Sequence, residues 1–126
     1  MKSLTLLYLT LTTTIAFAAD QVQHVDANSA TKLIDKGGVT IIDVRTKDEY
    51  SEGHLKEAVN IDILEPNFEE RLGKLDKTKP VLIHCQAGGR STRSLKTFEK
   101  LGFSQIIHLD GGYGGWVEAG KPVVKP

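Results

Sequence analysis

The chain has 126 residues, room for one ordinary domain rather than two. Sixteen Lys and Arg balance sixteen Asp and Glu, which argues against a basic nucleic-acid face or a polybasic membrane patch. The 40% hydrophobic and 25% charged content excludes a disordered chain, and a single cysteine excludes an internal disulfide and leaves at most one thiolate for a metal.

Residues 1–18 read as an export signal. Lys2 supplies positive charge, an uncharged run from Leu4 to Phe17 follows, and Ala16-Phe17-Ala18 has the small-x-small pattern of a cleavage site. The alternative is a retained anchor, but a spanning helix needs about 20 mainly apolar residues, and five threonines interrupt this run. The reading is a signal cut after Ala18, a mature domain over 19–126 and no membrane association once the signal is gone. The destination is the periplasm if the source is a Gram-negative bacterium.

Strand and helix patterns then alternate. Val22 to Val25 is a short strand, and Asp26 or Asn28 caps a helix that Gly37-Gly38 ends. Val39 to Val44 is a β-branched run carrying Asp43, the mark of a strand buried on both faces. Lys47 to Glu52 makes a helical turn, Ala58 to Ile63 a strand, and Phe68 to Leu75 a short helix. Val81-Leu82-Ile83 leads into His84 and Cys85, Ser91 to Leu101 is amphipathic with Gly102 as its stop, and Gln105 to Leu109 is the last strand. The pattern predicts an α/β fold with a central parallel five-stranded sheet and helices on both faces. In such a sheet the ends at Asp43, Cys85 and Asp110 share one edge, the edge where ligands bind.

Cys85-Gln86-Ala87-Gly88-Gly89-Arg90-Ser91 joins a strand to a helix near that edge. Small residues let successive backbone N–H groups curl inward, the helix amino end adds partial positive charge, and Arg90 adds a full one. A thiol there is expected to titrate below its free value of about 8.5. The same donors suit an anionic substrate, so Gln86, Ala87, Gly88, Gly89 and Arg90 are the candidate substrate cradle. The alternative, an inert buried cysteine, leaves the small residues and the arginine without a purpose.

These residues resemble the rhodanese family of sulfurtransferases, over nearly all of the mature domain. The matching pieces are Ile42-Asp43-Val44-Arg45, Glu49-Tyr50, Gly53-His54-Leu55, Ala58-Val59-Asn60-Ile61, the Cys85 loop, Gly102-Phe103, and Leu109-Asp110-Gly111-Gly112 through Trp116 to Gly120-Lys121-Pro122. The resemblance implies a single rhodanese-like domain whose cysteine takes sulfane sulfur from a donor such as thiosulfate. That cysteine, here Cys85, holds the sulfur as a persulfide and passes it to cyanide or a thiol, with a protein acceptor as one option. It implies no cofactor. The similar phosphatases and arsenate reductases carry a longer loop, with one more residue between Cys and Arg than the Gln86, Ala87, Gly88 and Gly89 found here. The other function class is a carrier module that holds a persulfide for one partner and turns over small molecules poorly.

The remaining candidates support rather than act. Asp43 and Arg45 are expected to pair or to brace the loop edge, with Glu49 a further candidate partner for Arg45, and Ser91 supports the loop. His84, next to the cysteine on a strand, should face the other side of the sheet, and His54 should bond locally in its turn. His24, His54, His84 and His108 show no short-range pairing, so no metal is expected. Gly111 to Gly115 lacks the spacing of a nucleotide loop. These glycines are expected to let the chain pass close to the cysteine loop, with Trp116 packed down.

Overall fold

The computed structural model describes residues 22–126, together with Ser3, Thr5 and residues 8–10. The predicted export signal falls on the first stretch, and its cleavage point at Ala18 lies outside the described residues. Among the described residues no helix is long and apolar enough to cross a membrane.

Each predicted element is present, with shifted ends. In chain order they are β1 (Val22–Val25), α1 (Ala27–Lys36), β2 (Thr40–Asp43), α2 (Lys47–Glu52), β3 (Val59–Asn60), α3 (Phe68–Gly73), β4 (Val81–His84), α4 (Gly89–Lys100), β5 (Ile106–Leu109) and α5 (Gly112–Glu118). Local chemistry sets several of the boundaries. Asp26 caps α1 by accepting from Ser29 N at 2.8 Å. Thr46 and Glu49 form a reciprocal capping box at the start of α2.

The five strands lie in the order β1-β5-β4-β2-β3, every pair parallel. Side-chain alternation sorts the core into two layers. Ile42, Ile83, Cys85 and Ile106 face one side and pack with Phe68 and Leu72 of α3 and with Leu95 and Phe98 of α4. Ile41, Leu82, Ile107 and Leu109 face the other and pack with Ala30 of α1 and Trp116 of α5. Phe98 is fully buried and meets Phe68 edge-on with centroids 6.5 Å apart. Truncating it to Ala would cost about 3–5 kcal/mol.

Three predicted boundaries need correction. The strand expected over Ala58 to Ile63 shrinks to Val59–Asn60. Ile61 N and Ile63 N still reach Asp43 O and Val44 O, at 2.9 and 3.1 Å, but the Asn60 amide takes the Asp43 and Arg45 carbonyls and turns the chain off the ladder. Helix α4 begins at Gly89, ahead of the predicted Ser91, because Gly88 at φ +104° makes the turn. The glycine-rich segment after Asp110 is helical rather than a loop: the first N–H groups of α5 have acceptors in the cysteine loop, Tyr113 N to Cys85 O at 2.8 Å and Gly114 N to Gln86 O at 3.0 Å.

Candidate active site

Because all strands are parallel, the turns after β2, β4 and β5 gather at one edge. Cys85 is the first residue beyond β4 and is 1% exposed. Its Sγ accepts the Gly88 N–H at 3.1 Å and lies 3.2 Å from Ser91 Oγ. Burial pushes the thiol pKa up, but the Ser91 hydroxyl and the N–H groups of Ser91, Gly88 and Ala87 outweigh it, and the net shift is downward. The result is a thiol prepared to be a thiolate, as the small residues of the loop predicted.

The backbone around that thiol is fixed from three sides. A Cβ on Gly88 would sit 2.6 Å from Asp110 O, and one on Gly112 would sit 2.7 Å from both Cys85 O and Gln86 O. Those glycines permit the close approach of the β5–α5 turn to the cysteine loop, as expected. Trp116 is 5% exposed and donates from Nε1 to Pro122 O. Gly88 O in turn accepts from Thr92 N and Thr92 Oγ1, at 3.0 and 2.6 Å.

Asp43 and Arg45 form a buried ion pair. The Asp43 carboxylate accepts from Arg45 N, Nε and Nη2 at 2.7–3.1 Å, and both residues are nearly inaccessible. From there Arg45 reaches Gly53 O at 2.7 Å and Gln86 Oε1 at 3.3 Å, and its guanidinium lies 4.2 Å from the Tyr113 ring centroid. One side chain thus ties β2, α2, α5 and the cysteine loop together. Glu49 is not the partner of Arg45. It holds Arg90 in a two-pronged pair, at 2.6 and 2.9 Å. Starting α4 at Gly89 puts Arg90 in the first helical turn, where Glu49 takes up the charge expected to favour the thiolate.

His84 lies on the face opposite Cys85. Its Nδ1 is 3.0 Å from Cys85 O, its Nε2 has no hydrogen-bond partner, and burial lowers its pKa, which keeps the ring neutral. His54 stacks on Tyr50 with centroids 3.9 Å apart and contacts Leu55 O, a local role.

Along the sequence His24 and His108 are histidines without a short-range partner and Asp110 is a strand end; nothing there joins the three. Residues His24 and His108 are register partners on β1 and β5, and both Nδ1 atoms lie 2.6 Å from Asp110 Oδ1. Among the described residues this is the group whose donor atoms converge as metal ligands would. Its spacings are those of hydrogen bonds, since ligands about 2.0–2.1 Å from a tetrahedral zinc stand roughly 3.3 Å apart. The His108-x-Asp110 spacing at a strand end was the available signal, because residues two apart on a strand share a face.

Residues 26–119 match the rhodanese-like domain family. The chain is 32% identical over 123 residues to rhodanese-like domain-containing protein 17 of Arabidopsis thaliana, covering 88% of this chain and 78% of that one. It is also 32% identical over 96 residues to the thiosulfate sulfurtransferase GlpE of Coxiella burnetii, covering 76% of this chain and 85% of that one. The crystal structure of a rhodanese-related protein from Thermoplasma volcanium superposes with a TM-score of 0.72 at 28% identity, covering 81% of this chain and 97% of that one. With its parallel sheet and its cysteine at the sheet's binding edge, this chain belongs to the rhodanese-like domain family.

Proposed function

We propose that the protein is a sulfurtransferase that moves sulfane sulfur from a donor such as thiosulfate to cyanide or a thiol through a persulfide on Cys85. The observation that carries this is the Cys85 sulfur held between the Gly88 N–H and the Ser91 hydroxyl at the binding edge of the sheet. In the first half-reaction the thiolate attacks the outer sulfur of thiosulfate. The S–S bond of the donor breaks and its electron pair leaves with sulfite. In the second, cyanide or a thiolate attacks the outer persulfide sulfur, and Sγ departs as the thiolate again. Negative charge sits in the loop throughout, so fixed N–H donors stabilise every stage without rearranging.

Loop length supports sulfur over phosphorus chemistry. Four residues separate Cys85 from Arg90, and the resulting ring of N–H groups is narrower than the one residue longer loop of the family's phosphatases. The relative named a thiosulfate sulfurtransferase points to the same donor. The export signal read over residues 1–18 makes the periplasm the proposed compartment, to be checked by finding Ala19 at the mature amino terminus.

The test is intact mass spectrometry without reductant. Thiosulfate should add one sulfur atom to the protein, and cyanide or dithiothreitol should remove it. A Cys85→Ser variant that still gains sulfur defeats the assignment. Loading that discharges to protein thiols but not to cyanide would identify a carrier instead.

A further inference from the structure

The hydrogen bonds of the site do not end at Ser91. Ser91 Oγ lies 2.7 Å from His108 Nε2, His108 Nδ1 lies 2.6 Å from Asp110 Oδ1, and that oxygen also meets His24 Nδ1. Ser91 and His108 are buried, whereas the Asp110 and His24 side chains are 56% and 52% exposed. A continuous chain therefore runs from the buried sulfur to solvent.

Counting protons along it leaves few arrangements. Ser91 has one hydroxyl proton and three acceptors in reach: Cys85 Sγ, Gly88 O and His108 Nε2. The contact of His108 Nδ1 with a carboxylate calls for a proton on Nδ1. If the sulfur is a thiol, S–H donates to Ser91 Oγ and the Ser91 O–H donates to Nε2. If the sulfur is a thiolate, Nε2–H donates to Ser91 Oγ and the Ser91 O–H donates to the sulfur. The two states have the same heavy-atom geometry and differ by one hop of each of two protons, from sulfur to Ser91 Oγ and from Ser91 Oγ to His108 Nε2.

We propose that His108 is a positioning residue that holds the Cys85 proton, acting through Ser91 and oriented by Asp110. The thiol S–H bond breaks as a bond forms to Ser91 Oγ, and the former Ser91 hydroxyl proton passes to His108 Nε2. No electrons change hands. The product is a thiolate and an imidazolium joined by a neutral hydroxyl, with Asp110 facing the imidazolium. Asp110 suits this place: burial pushes its pKa up, but hydrogen bonds from His24 and His108 outweigh that and keep it ionised. The other titratable groups around His108 are His24 on β1, with ring centroids 5.4 Å apart, and Cys85 and His84 on β4. Helix α4 meets it through Ser91. The inference rests on Cys85 being the sulfur-carrying nucleophile, but its test needs no sulfur donor.

The experiment is the rate of iodoacetamide alkylation of Cys85 against pH in the full chain, for wild type, His108→Gln and Asp110→Asn. Gln can still donate to Ser91 Oγ but cannot take up a proton, so His108→Gln should move the alkylation midpoint up by about one pH unit, roughly a tenfold loss of rate below the midpoint. Asp110→Asn alters a half-exposed side chain and keeps an oxygen that can accept from the histidines, so it should move the midpoint the same way by less, with thermal melts reading any loss of fold. In wild type, nitrogen NMR of the His108 ring should show both ring N–H groups still present once the thiol has become a thiolate, the second being lost only at higher pH. Superposable alkylation profiles for all three proteins overturn the proposal, as does a ring that holds one proton while the thiol ionises. If wild type fails to gain sulfur from thiosulfate while the profiles shift as expected, the sulfur reading falls and the proton chain stands.

Discussion

Arg90 and Glu49 meet through both terminal guanidinium nitrogens and both carboxylate oxygens, and Glu49 Oε1 at the same time caps α2 through Thr46. The positive charge at the mouth of the cysteine loop is therefore largely balanced by its own partner. Glu49→Gln keeps the capping box and frees Arg90, so the thiol should ionise more readily and thiosulfate uptake should rise several-fold. Arg90→Ala leaves the carboxylate uncompensated beside the loop and should lower uptake by about tenfold. Alkylation against pH and sulfur-uptake kinetics read both. Equal losses in the two variants would mean that the pair only positions α2 against α4.

The same pair sets an acid limit. Hydrogen bonding from Arg90 outweighs burial, helped by Thr46, and draws the Glu49 carboxyl from its ordinary value near 4.5 down to about 2. A folded-state pKa below the unfolded one contributes stability that is present above pH 4.5 and is lost as pH falls toward 2. Both side chains are partly exposed, so the contribution is about 1 kcal/mol. Urea midpoints for wild type and Glu49→Gln, measured across this acid range, should converge as the pH drops.

Arg45→Met should be the most damaging polar substitution at the site. It leaves the buried Asp43 carboxylate without its partner and releases Gly53 O and Gln86, at a cost of about 3–5 kcal/mol. Arg45→Lys should recover only part of this, since a point charge cannot replace the planar fork of donors. Denaturant midpoints at neutral pH decide it, and a Met variant within ~1 kcal/mol of wild type would refute the bracing role.

Gly88 and Gly89 are neighbours with opposite expectations. Gly88→Ala meets a positive φ and the Asp110 carbonyl, and should cost about 2–3 kcal/mol while raising the thiol pKa, because the strained backbone moves its N–H away from Cys85 Sγ. Gly89→Ala meets nothing within 4 Å and sits at the start of α4, so it should gain about 0.5–1 kcal/mol. Thermal melts and alkylation profiles of the two variants test the contrast.

Where the sequence was readable and where it was not follows the range of the interactions. Cys85 at a strand end, Gly88 in the turn and Asp43 beside Arg45 are local patterns, and the structure places them as read. Proximity in sequence points Glu49 to Arg45, but α4 carries Arg90 across to it, a choice made by packing. His24 and His108 lie far apart in the chain and meet only because β1 pairs with β5. Helix α5 was hidden because its glycines weaken intrinsic helicity, and the acceptors that hold its first turn belong to another loop.

The pinning of the cysteine loop bears on what this scaffold could be turned into. Cys85 O and Gln86 O are tied to α5, Gly88 abuts Asp110 O, and Gly88 O is held by Thr92. A fifth residue inserted between Cys85 and Arg90 has room only on the solvent side, at the exposed Gln86, Ala87 and Gly89, so a phosphatase-length loop grafted onto this chain would not widen inward by itself. The graft would need a matching retreat of the β5–α5 turn, which makes the aperture a dimension of two segments that have to be redesigned together.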